Sequence, residues 1–314
     1  MLIYTIQRIG LAILICIIAM TVLFSLVYVI PGDPATIALG PRATPEMREA
    51  LRVRMGLDQP IPVQLLRFFA NAITGDLGLD LFSRRSVTAI VLENLPFTLS
   101  LIGAGLGWAV LLGIPLGCYS AIRRNSPIDK LTGVMSVGAI SIPSFVVGIY
   151  VLLLFAVTLN WFPAIGAGEP NHPIDQLWHL VLPAFAIGLG WVGYLARIVR
   201  ASMLEVMGEN HVRTARAFGI PESRVVFRYA LRIAILPTVT LLGLAIGGLL
   251  SSTVFAETVF ARPGIGKLTV DMVRLRNYPV VQGTVLVTVG LFVLGQLLAD
   301  LTVAWLDPRV RSRL

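Results

Sequence analysis

The sequence predicts an all-α, polytopic membrane protein with six transmembrane helices. Three observations carry this: 56% of the 314 residues are hydrophobic, only 13% are charged, and apolar runs of spanning length recur along the whole chain. An ordinary soluble domain carries about 25% charged residues, and the mean hydropathy here is +0.83. That balance excludes a cytosolic globular protein and an intrinsically disordered one. Crossing a bilayer core takes about 20 mostly apolar residues, and the runs that meet this are Ile9 to Ile30, Phe97 to Ile122, Leu131 to Leu159, His179 to Val199, Ile233 to Phe255 and Val281 to Leu306.

The first run is longer than the core of a signal peptide and no A-x-A site follows it, so it reads as a retained span. The third is long for one crossing and contains Pro143, which predicts tilt or a kink. Pro115, Pro183 and Pro237 interrupt or begin other spans and are further candidates for bending. Cys16 and Cys118 both lie in apolar runs, and two cysteines make neither a disulfide framework nor a cysteine metal site.

Orientation follows from the positive-inside rule. With six crossings and a cytoplasmic N-terminus, the inner segments hold Arg8, Arg123, Arg124, Lys130, Arg197, Arg200, Arg213, Arg216, Arg224, Arg228, Arg232, Arg309, Arg311 and Arg313. The charges of the outer segments cancel, so the whole net charge of +8 falls on the inner face. This predicts N-in, C-in.

Between the first two spans lies a long outer segment with helix signals. Thr44-Pro45-Glu46 supplies a cap, a proline at the first helical position and an acidic first turn. Met47, Leu51 and Met55 then share a face, and Gly56 is a stop. A second helix is expected from Pro62 to Thr74, closed by Gly75. The pair reads as a cap over the outer ends of the spans, or as part of a docking surface for an external partner. On the inner side, residues 202–232 read SMLEVMGENHVRTARAFGIPESRVVFRYALR, two helices broken at Gly219 with Pro221 restarting the second. A basic loop alone supports only a topology determinant or an anionic-lipid patch. The helix, glycine, proline, helix order exceeds that and fits an element presented to a cytoplasmic partner.

Catalytic chemistry finds no support. Pro263 to Leu268 resembles a phosphate loop but has Ala261 and Leu268 where glycine and serine or threonine are needed. His172, His179 and His211 lack metal-ligand spacing, and there is no nucleophile elbow and no H-E-x-x-H. Asp300 and Arg197, near inner span ends, suit snorkelling or mutual pairing.

Six motifs in order carry a family resemblance: VIPGDPA at Val29 to Ala35, MGLDQPIPVQ at Met55 to Gln64, GDLG at Gly75 to Gly78, SIPSF at Ser141 to Phe145, RASMLEV at Arg200 to Val206, and ETVFARPGIGKLTVDMVRLRNYPVVQG at Glu257 to Gly283. The chain resembles, nearly end to end, the B-type permease subunit of the bacterial peptide/nickel ABC importers, the dipeptide and oligopeptide permeases, with the type I ABC importer permease fold. The resemblance implies a first helix and periplasmic segment over 1–94, an ABC transmembrane type-1 domain over 95–306 with its coupling loop at about 202–232, and a cytoplasmic tail over 307–314. The inner loop is similar to the family's EAA motif, whose coupling helix inserts into an ATPase groove. E-A-A-x3-G falls on Arg213, Thr214, Ala215 and Gly219, with arginine for the glutamate and threonine for the first alanine. The later I-x-L-P falls on Tyr229, Ala230, Leu231 and Arg232, without the proline. Arg213, Thr214, Ala215, Arg216, Ala217 and Gly219 are therefore the expected docking residues.

The implied protein is an inner-membrane subunit and no enzyme, with no cofactor of its own; ATP and Mg belong to partner ATPase subunits. The implied partners are a homologous second permease in a heterodimer, two ATPase subunits, a periplasmic substrate-binding protein and the lipid bilayer, with no nucleic acid. Di- or oligopeptide is the expected cargo, with nickel or glutathione as the alternative. A channel or secondary transporter is the remoter reading, since intramembrane charges and inverted repeats are not evident.

Overall fold

The computed structural model describes residues 2–29, 36, 39, 43–55 and 58–306. Its helices are α1 (Leu2–Val29), α2 (Pro45–Met55), α3 (Ile61–Thr74), α4 (Val87–Ile122), α5 (Pro127–Ser141), α6 (Ser144–Val151), α7 (Pro173–Met207), α8 (Asn210–Ala217), α9 (Glu222–Arg224), α10 (Leu231–Ala234), α11 (Leu236–Val259), α12 (Ile265–Arg274) and α13 (Tyr278–Leu306). Wider π-helical turns follow α6 at Leu152–Thr158 and α9 at Val225–Ala230. Among the described residues the only β-pairing is the isolated bridge Leu79 to Ser86. The motif at Val29 to Ala35, the stop at Gly56 and the tail over 307–314 lie largely or wholly outside the described residues.

Five helices, α1, α4, α7, α11 and α13, are long and apolar enough to cross a membrane, and a sixth crossing is α5 with α6 when that bent pair counts as one span. The expected kink at Pro143 is a bend of 99°. Ile142 is extended at φ −92° and ψ 121°, a conformation that a following proline favours, and Pro143 opens α6. The other three prolines do not break their helices: α4 runs through Pro115, α7 runs through Pro183, and Pro237 sits in the first turn of α11. Most spanning helices also overrun the expected apolar runs, α4 starting at Val87 and α7 extending from Pro173 to Met207.

The chain forms two compact units. One comprises Met1–Arg8, Leu99–Arg262 and Leu294–Leu314; the other comprises Ile9–Thr98 and Pro263–Val293. In the first unit, small residues at every fourth position of α4, namely Gly105, Ala109, Gly113 and Gly117, bring its backbone against α7. A side-chain carbon at Gly117 would stand 2.6 Å from the Ala196 carbonyl oxygen, and one at Gly113 would stand 2.9 Å from that of Val192. Such a stripe lets helices pack closely in lipid, where burial of apolar surface gives no drive to associate. Across it the Trp108 indole donates to the Ala184 carbonyl at 2.9 Å and stacks on Phe185 at 5.0 Å. Gly117→Val is expected to lower stability by about 1–3 kcal/mol through overpacking, whereas Gly103→Ala, with nothing within 4 Å, leaves it unchanged or raised. Thermal melting of the detergent-solubilised chain checks the contrast.

In the second unit α2 begins as expected, Thr44 Oγ1 accepting from the Met47 amide at 3.3 Å. Gly75, at φ +78°, closes α3 in the left-handed conformation that glycine adopts without steric cost. The following segment is held by Asp80, whose carboxylate accepts from the amides of Phe82 and Ser83, both at 3.1 Å, from the Ser83 hydroxyl and from the buried Asn277 amide. Burial pushes the Asp80 carboxyl upward, but these donors outweigh it and hold it below the usual carboxylate range. Val87, Val91, Ile265 and Val280 form this unit's core. The Ile265 amide, which opens α12 within the glycine-rich stretch that imitates a phosphate loop, is taken by Thr98 Oγ1 at 2.8 Å.

Candidate functional site

The inner loop is a folded platform. α7 ends at Met207, and the Glu209 carbonyl accepts the first amides of α8, from Val212 and Arg213, each at 3.2 Å. α8 closes at Gly219, φ +73°, where the Gly219 amide reaches the Arg216 carbonyl at 2.9 Å and the Ile220 amide reaches that of Ala215 at 3.3 Å. Nothing lies within 4 Å of a side-chain carbon at Gly219, so backbone conformation, not crowding, calls for glycine there. Pro221 then starts α9, as its position in the sequence predicts. Arg216 spans the turn with a fork onto Glu222, Nε to Oε2 at 3.1 Å and Nη2 to Oε1 at 2.7 Å. The guanidinium holds the Glu222 carboxyl below its ordinary range. Both side chains are more than a third exposed, so the pair fixes geometry and adds little energy.

Two faces of α8 have different tasks. Val212 and Ala215 turn inward and are buried with Met203, Val206, Val225, Val226 and Ala230. Arg213, Thr214, Arg216, Ala217 and Gly219 are exposed, so five of the six expected docking residues share the surface while Ala215 supports it from beneath. The residue that sequence reasoning missed is Phe218, 80% exposed between Ala217 and Gly219. Its signal was available: an aromatic among arginines, three residues beyond Ala215 and immediately before the glycine that ends the helix. Phe227, 63% exposed, is a second large apolar side chain left open on this polar loop.

Behind the platform, Asp129 ties three helices together. It is 5% exposed and accepts a fork from Arg200 of α7, Nε to Oδ1 at 2.5 Å and Nη2 to Oδ2 at 2.8 Å. It also accepts from the Ser120 hydroxyl at the end of α4 and from the Asn125 amide at 2.9 Å, while Ser126 caps α5 through the Asp129 amide. Asp300 pairs with Arg8 at 2.8 Å, so of the two readings offered for Asp300 and Arg197, snorkelling or mutual pairing, the pairing is replaced by one to Arg8. Arg197 instead lines a cavity of about 580 Å³ with Lys130, Ser136 and the Asp129–Arg200 pair. A second, mostly apolar cavity of about 290 Å³ lies at the α5–α6 bend, lined by Pro143, Ser144, Trp191, Tyr194 and Ser252. His172 precedes α7 and His211 lies in the first turn of α8, its Nδ1 3.0 Å from Glu209, while His179 lies in the second turn of α7 with Nδ1 2.9 Å from the Asp175 carbonyl. No group of three or more metal-ligating side chains is found among the described residues.

Residues 113–312 match the family described as "Binding-protein-dependent transport system inner membrane component", and residues 1–102 match its N-terminal companion, "Binding-prot-dependent transport system membrane comp, N-term". Among curated proteins, the chain is similar to the glutathione transport system permease protein GsiC of Pectobacterium atrosepticum, 39% identical over 314 residues and covering 100% of both chains. GsiC of Escherichia coli strain K12 is 37% identical over 313 residues, again with 100% of each covered. Among solved structures, a chain of the MetNI methionine ABC transporter in an inward-facing crystal form superposes with a TM-score of 0.57 at 16% identity, covering 69% of this chain and 96% of that one. At that identity the likeness is one of fold.

Proposed function

Because the chain belongs to the binding-protein-dependent transport system inner membrane components, as a permease of the ABC importer type with the type I fold, we propose that α8 is its coupling helix and that its cargo is glutathione or a closely similar short peptide. Both termini lie in the cytoplasm, the arrangement that puts the net +8 inside. A homologous second permease completes the membrane path, and a periplasmic binding protein delivers cargo to it. ATP hydrolysis, with its Mg, belongs to two separate ATPase subunits.

The observation that carries this reading is the geometry of α8: a short helix with its inner face buried, its outer face open, and Phe218 standing 80% exposed at its end. Movement of the ATPase subunits is passed to α7 through the shared core of Val212, Ala215, Met203 and Val206. The Asp129–Arg200 fork carries it on to α4 and α5. The 99° bend at Pro143 supplies a defined break where α6 can turn against α5. Glutathione, rather than peptides in general, is supported by the names of the full-length relatives.

Proteoliposomes holding both permeases and the ATPase subunits, supplied with the binding protein, test the cargo. Labelled glutathione is expected to accumulate only with ATP inside and binding protein outside. Uptake of nickel but not glutathione under those conditions contradicts the cargo reading, and gradient-driven uptake by this chain alone contradicts the whole assignment.

A further inference from the structure

We propose that α3 is an interfacial helix that lies flat in the headgroup region of the bilayer, at the membrane surface where α1 ends, with phospholipid covering its exposed apolar stripe. This concerns a surface that the transport reading leaves unused. No residue of α3 is buried, although the helix is strongly amphipathic. Val63, Leu66, Ala70 and Ile73 recur at helical spacing and stand open, Leu66 at 68% and Ile73 at 84%. The polar side chains Gln64, Arg67, Asn71 and Thr74 each follow one residue later, so they form the neighbouring stripe. Leu65, Phe68 and Ala72 are half-buried on the remaining side. The helix thus has one face on protein, one suited to water and one apolar face with no protein partner among the described residues, the pattern of a helix lying in a membrane interface.

Its depth is set by a contact within the same unit. The Phe68 ring lies 6.1 Å from that of Phe24, and Phe24 stands six residues, roughly 9 Å of helix, before the end of the apolar run Ile9 to Ile30. Phe68 is therefore held just inside the edge of the hydrocarbon layer, at the depth of about 5–10 Å to which an interfacial helix sinks its apolar face. The rest of α1 is itself open to lipid, with Ile13, Ile17 and Val22 exposed. The open stripe of α3 is therefore continuous in depth with a surface already in the bilayer, which favours lipid over a water-soluble partner.

Spin labels on single cysteines in the intact complex in nanodiscs test this, in a background with Cys16→Ser and Cys118→Ala and with ATP-dependent uptake retained as the check of assembly. Labels at Leu66→Cys and Ile73→Cys are expected to collide with oxygen in preference to a water-soluble nickel chelate, and the preference is expected to reverse at Asn71→Cys. Chelate preference at all three positions overturns the proposal in favour of a water-exposed helix. Shielding of 66 and 73 from both reagents overturns it in favour of cover by another subunit. Should the cysteine-free background fail to assemble, Leu66→Trp in the otherwise native chain provides the second reading. Brominated lipid is expected to quench the added fluorescence, and its escape from quenching overturns the proposal.

Discussion

Phe218→Asp is expected to abolish ATP-dependent uptake while leaving the folded chain intact. Phe218 is 80% exposed, so its removal opens no cavity and the melting temperature of the isolated permease stays at the wild-type value. An aromatic anchor at the centre of a protein interface is worth at least about 2 kcal/mol, so the ATPase subunits are expected to bind about 30-fold more weakly. Placing a charge where an apolar pocket must close adds an unpaired, desolvated group to that loss. Retention of ATPase subunits on the purified membrane complex, measured beside uptake, separates docking from folding. Phe218→Leu keeps an apolar knob and is expected to retain most coupling. Ala215→Leu acts differently: Ala215 is buried beneath the platform, so added bulk there disturbs the loop itself and lowers stability together with uptake.

Asp129→Ala is expected to cause the largest loss of stability among single substitutions at the inner end. Removing one partner of a buried pair costs about 3–5 kcal/mol. Arg200 is 32% exposed and regains some hydration, which trims the expected loss to about 2–3 kcal/mol. The Ser120 hydroxyl and the Asn125 amide lose their acceptor at the same time. Arg200→Lys also weakens the site, because an ammonium cannot reproduce the two-pronged contact. Melting of Asp129→Ala, Arg200→Ala and the double variant is expected to show strong non-additivity, the double variant losing little more than the worse single one. Additive losses contradict the fork as the tie between α4, α5 and α7.

The spans were legible because membrane crossing imposes a length and a composition that a single chain must satisfy by itself. The cap at Thr44, the stop at Gly75 and the break at Gly219 were legible for a similar reason: each rests on local backbone chemistry. The size of the bend at Pro143 was not, because proline alone is also carried unbroken by α4 at Pro115 and by α7 at Pro183. Only the extended Ile142 with a proline-capped α6 distinguishes the third case, and that is a matter of tertiary packing. Arg200 with Asp129 escaped sequence reading because the partners are 71 residues apart. The inward turn of Ala215 and the exposure of Phe218 depend on which face of α8 meets the π-helical turn at Val225–Ala230, again a long-range fact. The four-residue stripe from Gly105 to Gly117 was readable in principle, since small residues at that spacing mark close helix contacts in membranes.

The most direct test of the account is a photo-crosslinking amino acid placed at position 218, and separately at 213, in the assembled transporter. A covalent adduct between this chain and an ATPase subunit is expected from both positions, stronger from 218. Adducts with lipid alone, or none from either position while the complex remains active, contradict the assignment of α8 as the coupling helix.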